Sequence, residues 1–250
     1  MCTSHVAGRR QVTAVVVVAM PEEAQPFLGR LPQLEHATPL TLPGGAEAWP
    51  LHLGRDRELV LVRSGIGLVA SASALATALT QVAPELIVSA GTTGGLGRDV
   101  EVGDVCVSTN LAYTDVDATA FGYAPGQTPG QPATFAADPG LVARAGAAQE
   151  ALHTATPAAG TARIHTGQML AGGSFVTAAN VGATRERFPQ AVSTDMESTA
   201  LAQVAHAAAI PFASIRGVSD LCGPEAGQDF HIGADEAAAR SAAVVLAALA

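Results

Sequence analysis

The sequence predicts an α/β domain built on a largely parallel sheet. Short runs rich in valine, leucine and isoleucine recur along the chain, as in "AVVVV" (Ala14–Val18), "ELVLV" (Glu58–Val62) and "ELIVSA" (Glu85–Ala90). Alanine-rich stretches with helical spacing alternate with them, as in Leu68–Gln81 and Met196–Ala208. No break in composition is long enough for a linker, and there is no repeat or charge run, so the 250 residues read as a single domain, with residues 1–11 a candidate disordered lead. A chain of this length buries roughly three quarters of its unfolded surface and can build a core without staples.

The elements follow in order. Val12–Ala19 reads as a buried first strand. It is short, lacks a small-residue cleavage site and runs into Pro-Glu-Glu, so it is not read as a signal peptide. Pro21 suits the first position of a helix, with Glu22 and Glu23 in its first turn. Pro50–Leu53 and Glu58–Arg63 read as strands of a hairpin or meander, and "SGIG" (Ser64–Gly67) as a tight loop before the helix Leu68–Gln81. Glu85–Ala90 is a buried strand ended by the loop "GTTGGLG" (Gly91–Gly97), and Asp104–Ser108 is a short apolar strand. The glycines, prolines and aromatics of Asp117–Gly130 mark an ordered loop. Leu141–Leu152 reads as a helix, Arg163–Leu170 as a strand, Ala171–Val176 as a turn, Val181–Arg187 as a helix and Ala191–Thr194 as a strand. The helix Met196–Ala208, the strand Pro211–Val218 and the terminal helix Ala234–Leu249 complete the chain.

Composition excludes several classes of function. A net charge of −9 argues against a general nucleic-acid binder, which needs a basic face. No segment has the roughly 18 apolar residues of a membrane span. The expected partner is a small molecule. All thirteen basic residues are arginines, which removes a P-loop lysine, a pyridoxal-phosphate Schiff base and a lysine general base. Cys2, Cys106 and Cys222 are far apart and odd in number, as expected of reduced thiols in a cytoplasmic protein. The seven histidines lack metal spacing and there is no G-x-S-x-G elbow, so neither metal nor cofactor is expected. "SGIGLVA" carries G-x-G-x-x-A at Gly65, Gly67 and Ala70, but Glu85 begins the next strand where a dinucleotide site needs an acid at its end.

Ligands of open α/β sheets bind beyond the carboxyl ends of strands. At those ends the sequence delivers Met20 with Glu22 and Glu23, then Ser64 with the loop holding Ile66, then Thr92, Thr93, Gly94 and Gly95. Later strands deliver Ser174 and Phe175, then Asp195, Met196 and Glu197, then Ser219 and Asp220. Each has a plain structural reading: first-turn carboxylates suit a helix dipole, Asp195 can cap a helix, Asp220 can sit in a turn, and Phe175 can be core. All fall at the same end of a strand, however, and together they suit a polar, hydroxyl-rich ligand with a ring to stack.

The segments "VVAMPEEAQPFL", "VRSGIGLVASASA", "IVSAGTTGGL", "VGDVCVS", "DATAFGYAPGQTPGQPATFAAD", "GGSFV", "FPQAVSTDMESTALAQVA" and "PFASIRGVSD" occur in this order. Together they resemble the 5′-methylthioadenosine/S-adenosylhomocysteine nucleosidases of the nucleoside phosphorylase superfamily. The resemblance implies one α/β domain with a central mixed, mostly parallel sheet flanked by helices, a homodimer, and hydrolysis of the N-glycosidic bond of an adenine nucleoside. It implies that Glu23 activates the water and that Asp220 serves purine N7, with Ser219 beside it. It assigns Glu197 to the ribose hydroxyls, Met196 to the sugar, Phe175 to stacking on adenine, the Val176 backbone to the base edge, and Thr92 to the water and sugar. It places Phe230 over the base or the 5′ side, and it lends Phe121, Tyr123 and Pro129 to the neighbouring subunit's 5′ pocket. Two positions depart from the pattern: Gly173 stands where relatives commonly carry an acid, and Asp195 where many carry glutamate.

The chemistry asks for the same groups. Breaking a ribosyl bond passes through an oxocarbenium-like state. Adenine leaves poorly unless protonated, and water attacks poorly unless a carboxylate takes its proton. The main alternative is a phosphorylase on the same fold, for which Arg63 and Arg216 are the arginines near the rim. Others are a nucleosidase for a related nucleoside, of futalosine type, and a simple binding module. A pure binder has no need of both Glu23 and Asp220.

Overall fold

The valine run forms strand β1 (Arg10–Val18), and its residues alternate between two cores. Ala14, Val16 and Val18 join a cluster on one side of the sheet, while Val15 and Val17 join another on the opposite side. This is the period of two of an extended chain, here buried on both faces. Fully burying such a side chain is worth about 1.5–3 kcal/mol. The computed structural model describes residues 8–223 and 232–250. β1 starts at Arg10, inside the stretch expected to be disordered, because Arg10 and Gln11 pair with Val82 and Ala83.

Helix α1 (Pro21–Leu28) follows, with Pro21 in its first turn as expected. Strands β2 (Glu47–Gly54) and β3 (Arg57–Arg63) form an antiparallel hairpin. Arg55 and Asp56 at its tip both have positive φ, as a tight primed turn requires. α2 (Leu68–Ala78) stops short of Gln81, and β4 (Val82–Gly95) begins almost at once. β5 (Val105–Tyr113) pairs with the two-residue strand β6 (Phe135–Ala136), which the sequence reading missed. The helix expected over Leu141–Leu152 is two pieces, α3 (Pro139–Gly146) and α4 (Gln149–His153). Asp138 caps α3 by accepting from the Leu141 N–H at 2.7 Å. Then come β7 (Ile164–Ala171), α5 (Val181–Arg187), β8 (Ala191–Asp195), α6 (Ser198–Ala207), β9 (Phe212–Asp220) and α7 (Ala234–Leu249).

The sheet is mixed. The pairs β1–β3, β1–β4, β4–β9, β5–β7 and β7–β8 are parallel, whereas β2–β3, β4–β8, β5–β6 and β5–β9 are antiparallel. It also departs from the flanked sheet expected above. β4, β9, β5, β7 and β8 pair in a closed ring, and β1, β3 and β2 extend from one side of it. The cause lies in β4. Its first half pairs with β1, and its last residues leave β1 to pair with β8. "GTTGG", expected as a loop, is therefore strand: Gly91, Thr92 and Thr93 pair with Arg216, Gly217 and Val218 of β9, and the register shifts before Gly94. Helices α1 and α7 pack together on one side, with α7 also against β4 and β9, and α2 packs on α6. Among the described residues no helix is long and apolar enough to cross a membrane.

Candidate active site

The ends of β1, β4, β8 and β9 open on a cavity of about 330 Å³. Of the residues singled out at the strand ends, Met20, Glu23, Ile66, Thr92, Thr93, Gly94, Ser174, Phe175, Val176, Asp195, Met196, Glu197, Ser219 and Asp220 line it, whereas Glu22, Ser64 and Gly95 do not. Phe230 lies outside the described residues. Phe121, Tyr123 and Pro129 are not among the residues that line the cavity. Phe121 sits on a short 3-10 turn (Thr119–Phe121) and is 84% exposed.

Glu22 and Glu23 part ways. Glu22 is exposed, whereas Glu23 is buried at the third position of α1. Its Oε2 accepts from the N–H groups of Ala19 and Met20 at 2.7 and 3.1 Å, so the side chain caps its own helix. Its Oε1 accepts from the Thr92 N–H at 2.8 Å and from the Thr92 hydroxyl at 3.0 Å. The carboxylate fits because Gly91 has no side chain, and a Cβ there would collide with it. Gly91 also has φ +130°. Gly91→Ala is therefore expected to displace the Glu23 carboxylate and lower turnover by about 10²-fold, the order that misplacing a reacting group by 1 Å can cost. Steady-state kinetics with a thermal melt to confirm folding checks this.

Glu197 is buried at the start of α6, where Asp195 Oδ1 accepts from the Glu197 and Ser198 N–H groups, each at 2.7 Å. Asp195 thus ties down the N–H groups that lead into α6, which starts at Ser198 rather than at Met196. Glu197 Oε1 accepts from the Gly67 N–H at 2.8 Å. This is the use of the "SGIG" loop: Gly67 precedes α2 with φ +104° and aims its N–H, and the positive end of the helix, at a carboxylate of the protein itself. The dinucleotide-like spacing serves that contact.

Arg216 of β9 joins these groups. It is 1% exposed. Nη1 lies 3.1 Å from Glu197 Oε2 and donates to the Thr92 carbonyl at 3.0 Å, and Nε lies 3.5 Å from Asp195 Oδ2. Nη2 donates to Ser89 Oγ at 2.8 Å and Nε to the same oxygen at 3.3 Å. Burial alone would pull this guanidinium down, but Asp195, Glu197 and Glu23 push it up and keep it charged. Burial pushes the Glu197 carboxyl up to about 7, the Arg216 charge opposing it and Asp195 adding to it. The sequence reading considered Arg216 only as a phosphate ligand. The signal for its role was present, since an arginine within a buried strand must be paired.

Asp220 ends β9 and faces the other end of the cavity floor. Its Oδ2 accepts from the Ser219 hydroxyl at 3.0 Å and its Oδ1 from the Cys222 N–H at 2.9 Å. Cys222 Sγ lies over Gly94 as Glu23 lies over Gly91, with Asp220 Oδ1 beside it at 3.3 Å from where a Gly94 Cβ would stand. At roughly 3.3 Å per strand residue, those two glycines are on the order of 10 Å apart. Phe175 is 66% exposed at the cavity rim, with Val176 buried beside it. Cys222 also lines the cavity, and burial, helped by Asp220, pushes its thiol up to about 12, so it is a neutral wall and no nucleophile. The Gly173 N–H donates to Asp115 Oδ2 at 2.6 Å, which brings a carboxylate from another loop to this position. No metal-binding cluster occurs among the described residues.

The family model of the Phosphorylase superfamily matches residues 13–250, which hold the whole of this ring-closed sheet and its cavity except for the start of β1. A 5′-methylthioadenosine/S-adenosylhomocysteine nucleosidase of Bacillus cereus is 36% identical over 227 residues, covering 90% of this chain and 93% of the relative. The nucleosidase of Neisseria meningitidis, solved in complex with methylthio-immucillin-A, superposes with a TM-score of 0.84 at 34% identity, covering 94% of this chain and 97% of that one. The nucleosidase of Colwellia psychrerythraea, solved in complex with adenine, gives 0.81 at 32% identity, covering 97% and 95%. The chain belongs to the 5′-methylthioadenosine/S-adenosylhomocysteine nucleosidase family.

Proposed function

We propose that this protein hydrolyses the N-glycosidic bond of adenine nucleosides such as 5′-methylthioadenosine and S-adenosylhomocysteine, releasing adenine. The observation that carries this reading is the convergence of Glu23, Glu197, Asp220 and Arg216 on the wall of one cavity, with Glu23 packed over Gly91 of β4. Glu23 takes the proton of the attacking water. Its carboxylate accepts four hydrogen bonds, so the water replaces one of them, and the Thr92 hydroxyl is the donor that turns away most easily. Asp220 delivers a proton to purine N7, with Ser219 holding its second oxygen. Glu197 accepts from the ribose hydroxyls, and its negative charge favours the developing oxocarbenium. Met196 lies against the sugar, Phe175 stacks on the base, and the Val176 backbone reads the base edge. Met20, Ile66, Gly94 and Asp195 complete the walls.

Water rather than phosphate follows from the arginines. Arg216 is committed to Ser89, Thr92, Asp195 and Glu197, and Arg63 pairs with Glu47 at 2.8 Å on the hairpin. A phosphate in the cavity would meet carboxylates instead of a cationic cradle.

The proposed unit is a homodimer of single-domain chains. Ile66, Val69, Phe121 and Phe175 are large apolar side chains left 59%, 83%, 84% and 66% exposed. A second copy would cover them and lend Phe121, Tyr123 and Pro129 to the 5′ side of the cavity.

A substrate panel tests the reading: methylthioadenosine, adenosylhomocysteine, 5′-deoxyadenosine, adenosine and inosine, with adenine or hypoxanthine release followed. Methylthioadenosine and adenosylhomocysteine should turn over fastest; absence of base release from every adenine nucleoside would sink the proposal. The acid limb of the pH profile provides a second check. Below about 7 Glu197 is protonated and loses acceptor capacity toward the diol, so kcat/KM should rise as pH rises through that value and then level off. A profile flat from 5 to 8 would contradict the role given to Glu197.

A further inference from the structure

Behind Arg216, away from the cavity, runs a chain of buried hydroxyls. Ser89 Oγ lies 3.1 Å from Ser198 Oγ, and Ser198 Oγ lies 2.8 Å from Ser214 Oγ. All three serines are 0% exposed. They come from β4, α6 and β9, the elements that deliver Thr92, Glu197 and Asp220.

The direction of its first link is fixed by the arginine. A guanidinium only donates, and Arg216 donates to Ser89 Oγ through both Nε and Nη2. Both lone pairs of Ser89 are then occupied, so its own proton must go to Ser198. Ser198 accepts there and meets Ser214 Oγ at 2.8 Å, a contact in which either hydroxyl can donate. The Ser89 O–H dipole therefore turns its oxygen toward the guanidinium and its proton toward Ser198. Ser198 also follows Glu197 in the chain, and its N–H is held by Asp195. One end of the chain thus grips the cation, and its middle grips the turn that carries the diol-binding carboxylate.

Resting on the hydrolase reading above, we infer that Ser89, Ser198 and Ser214 form a buried hydroxyl chain whose function is to position Arg216 and, through it, Glu197 for recognition of the ribose diol. The serines touch no substrate and are positioning residues. Their loss should act on the diol contact selectively. Without Ser89 the guanidinium loses the acceptor of both Nε and Nη2, swings, and loosens its 3.1 Å hold on Glu197. Without Ser198 the Ser89 proton has no acceptor in the chain, and the grip weakens in the same sense.

The test compares 5′-methylthioadenosine with its 2′-deoxy counterpart in the wild type, Ser89→Ala, Ser198→Ala and Ser71→Ala. Ser71 is an equally buried serine whose hydroxyl, among the described residues, bonds only to Leu68 O of its own helix turn, so it controls for loss of a buried hydroxyl. Thermal melts establish that each variant is folded. For Ser89→Ala and Ser198→Ala, kcat/KM on the ribonucleoside should fall about tenfold, mostly through KM, and that on the 2′-deoxynucleoside less than twofold. Ser71→Ala should leave the ratio of the two unchanged. Equal losses on both substrates would overturn the inference, because loosened packing would produce just that. If the wild type releases adenine from neither substrate, it is the hydrolase reading that fails. The positioning claim is then read from the Glu197 side-chain carboxyl by carbon NMR titration. Arg216 lowers that midpoint, while burial, Asp195 and Glu23 raise it. Ser89→Ala should therefore move it up, and an unchanged midpoint would overturn the inference.

Discussion

Glu23→Gln is expected to lower adenine release by about 10²–10⁴-fold while leaving binding of an adenine nucleoside analogue measurable. This corresponds to roughly 3–5 kcal/mol of transition-state stabilisation. On the function proposed above, the substitution removes the base that takes the water's proton. It also turns an acceptor-only group into one with an NH₂ end, which must face either the Ala19 and Met20 N–H groups or those of Thr92. A stability loss of about 1–3 kcal/mol should accompany the lost turnover. Glu22→Gln separates the catalytic from the charge effect. Glu22 is exposed in the same helical turn, and its replacement should change activity by less than twofold. Measuring kcat, KM, analogue binding and melting temperature for the two variants decides the matter. Near-normal turnover in Glu23→Gln would refute the assigned role.

Asp220→Asn is the second large effect expected, again about 10²–10⁴-fold in turnover. The loss should depend on the leaving group. A nucleoside whose base departs without protonation needs no acid, so a 4-nitrophenyl riboside should retain most of its rate in Asp220→Asn and lose it in Glu23→Gln. The amide can still accept from Cys222 N–H and face Ser219, so the fold should survive. Equal loss on both leaving groups would mean that Asp220 holds the base without supplying a proton.

Much of the fold was legible because periodicity and turn chemistry are local. β1 announced itself by its valine run, α5 and α7 by their helical spacing, and the hairpin by its two strands. What was not legible is non-local. The closing of the sheet depends on which partner β4 meets at each end, and "GTTGG" reads as a loop until β8 and β9 hold it as strand. The break between α3 and α4 follows Gly146, a poor helix former, but the alanines on both sides of it read as one continuous helix.

The cavity-lining residues were found because strand ends deliver them in order and the resemblance assigns them. Their wiring was not. That Thr92 holds the Glu23 carboxylate, that Gly67 lends an N–H to Glu197, and that Arg216 ties Glu197 to Thr92 are contacts between segments far apart in sequence. A lone arginine within a buried strand was the sequence's one hint of the last.

The most direct measurement is adenine release from 5′-methylthioadenosine in phosphate-free buffer and again with phosphate added, with the sugar product identified by mass spectrometry. The expected result is the same rate in both and free 5-methylthioribose in both. Adenine release only when phosphate is present, with the sugar recovered as its 1-phosphate, would contradict a carboxylate-activated water at Glu23.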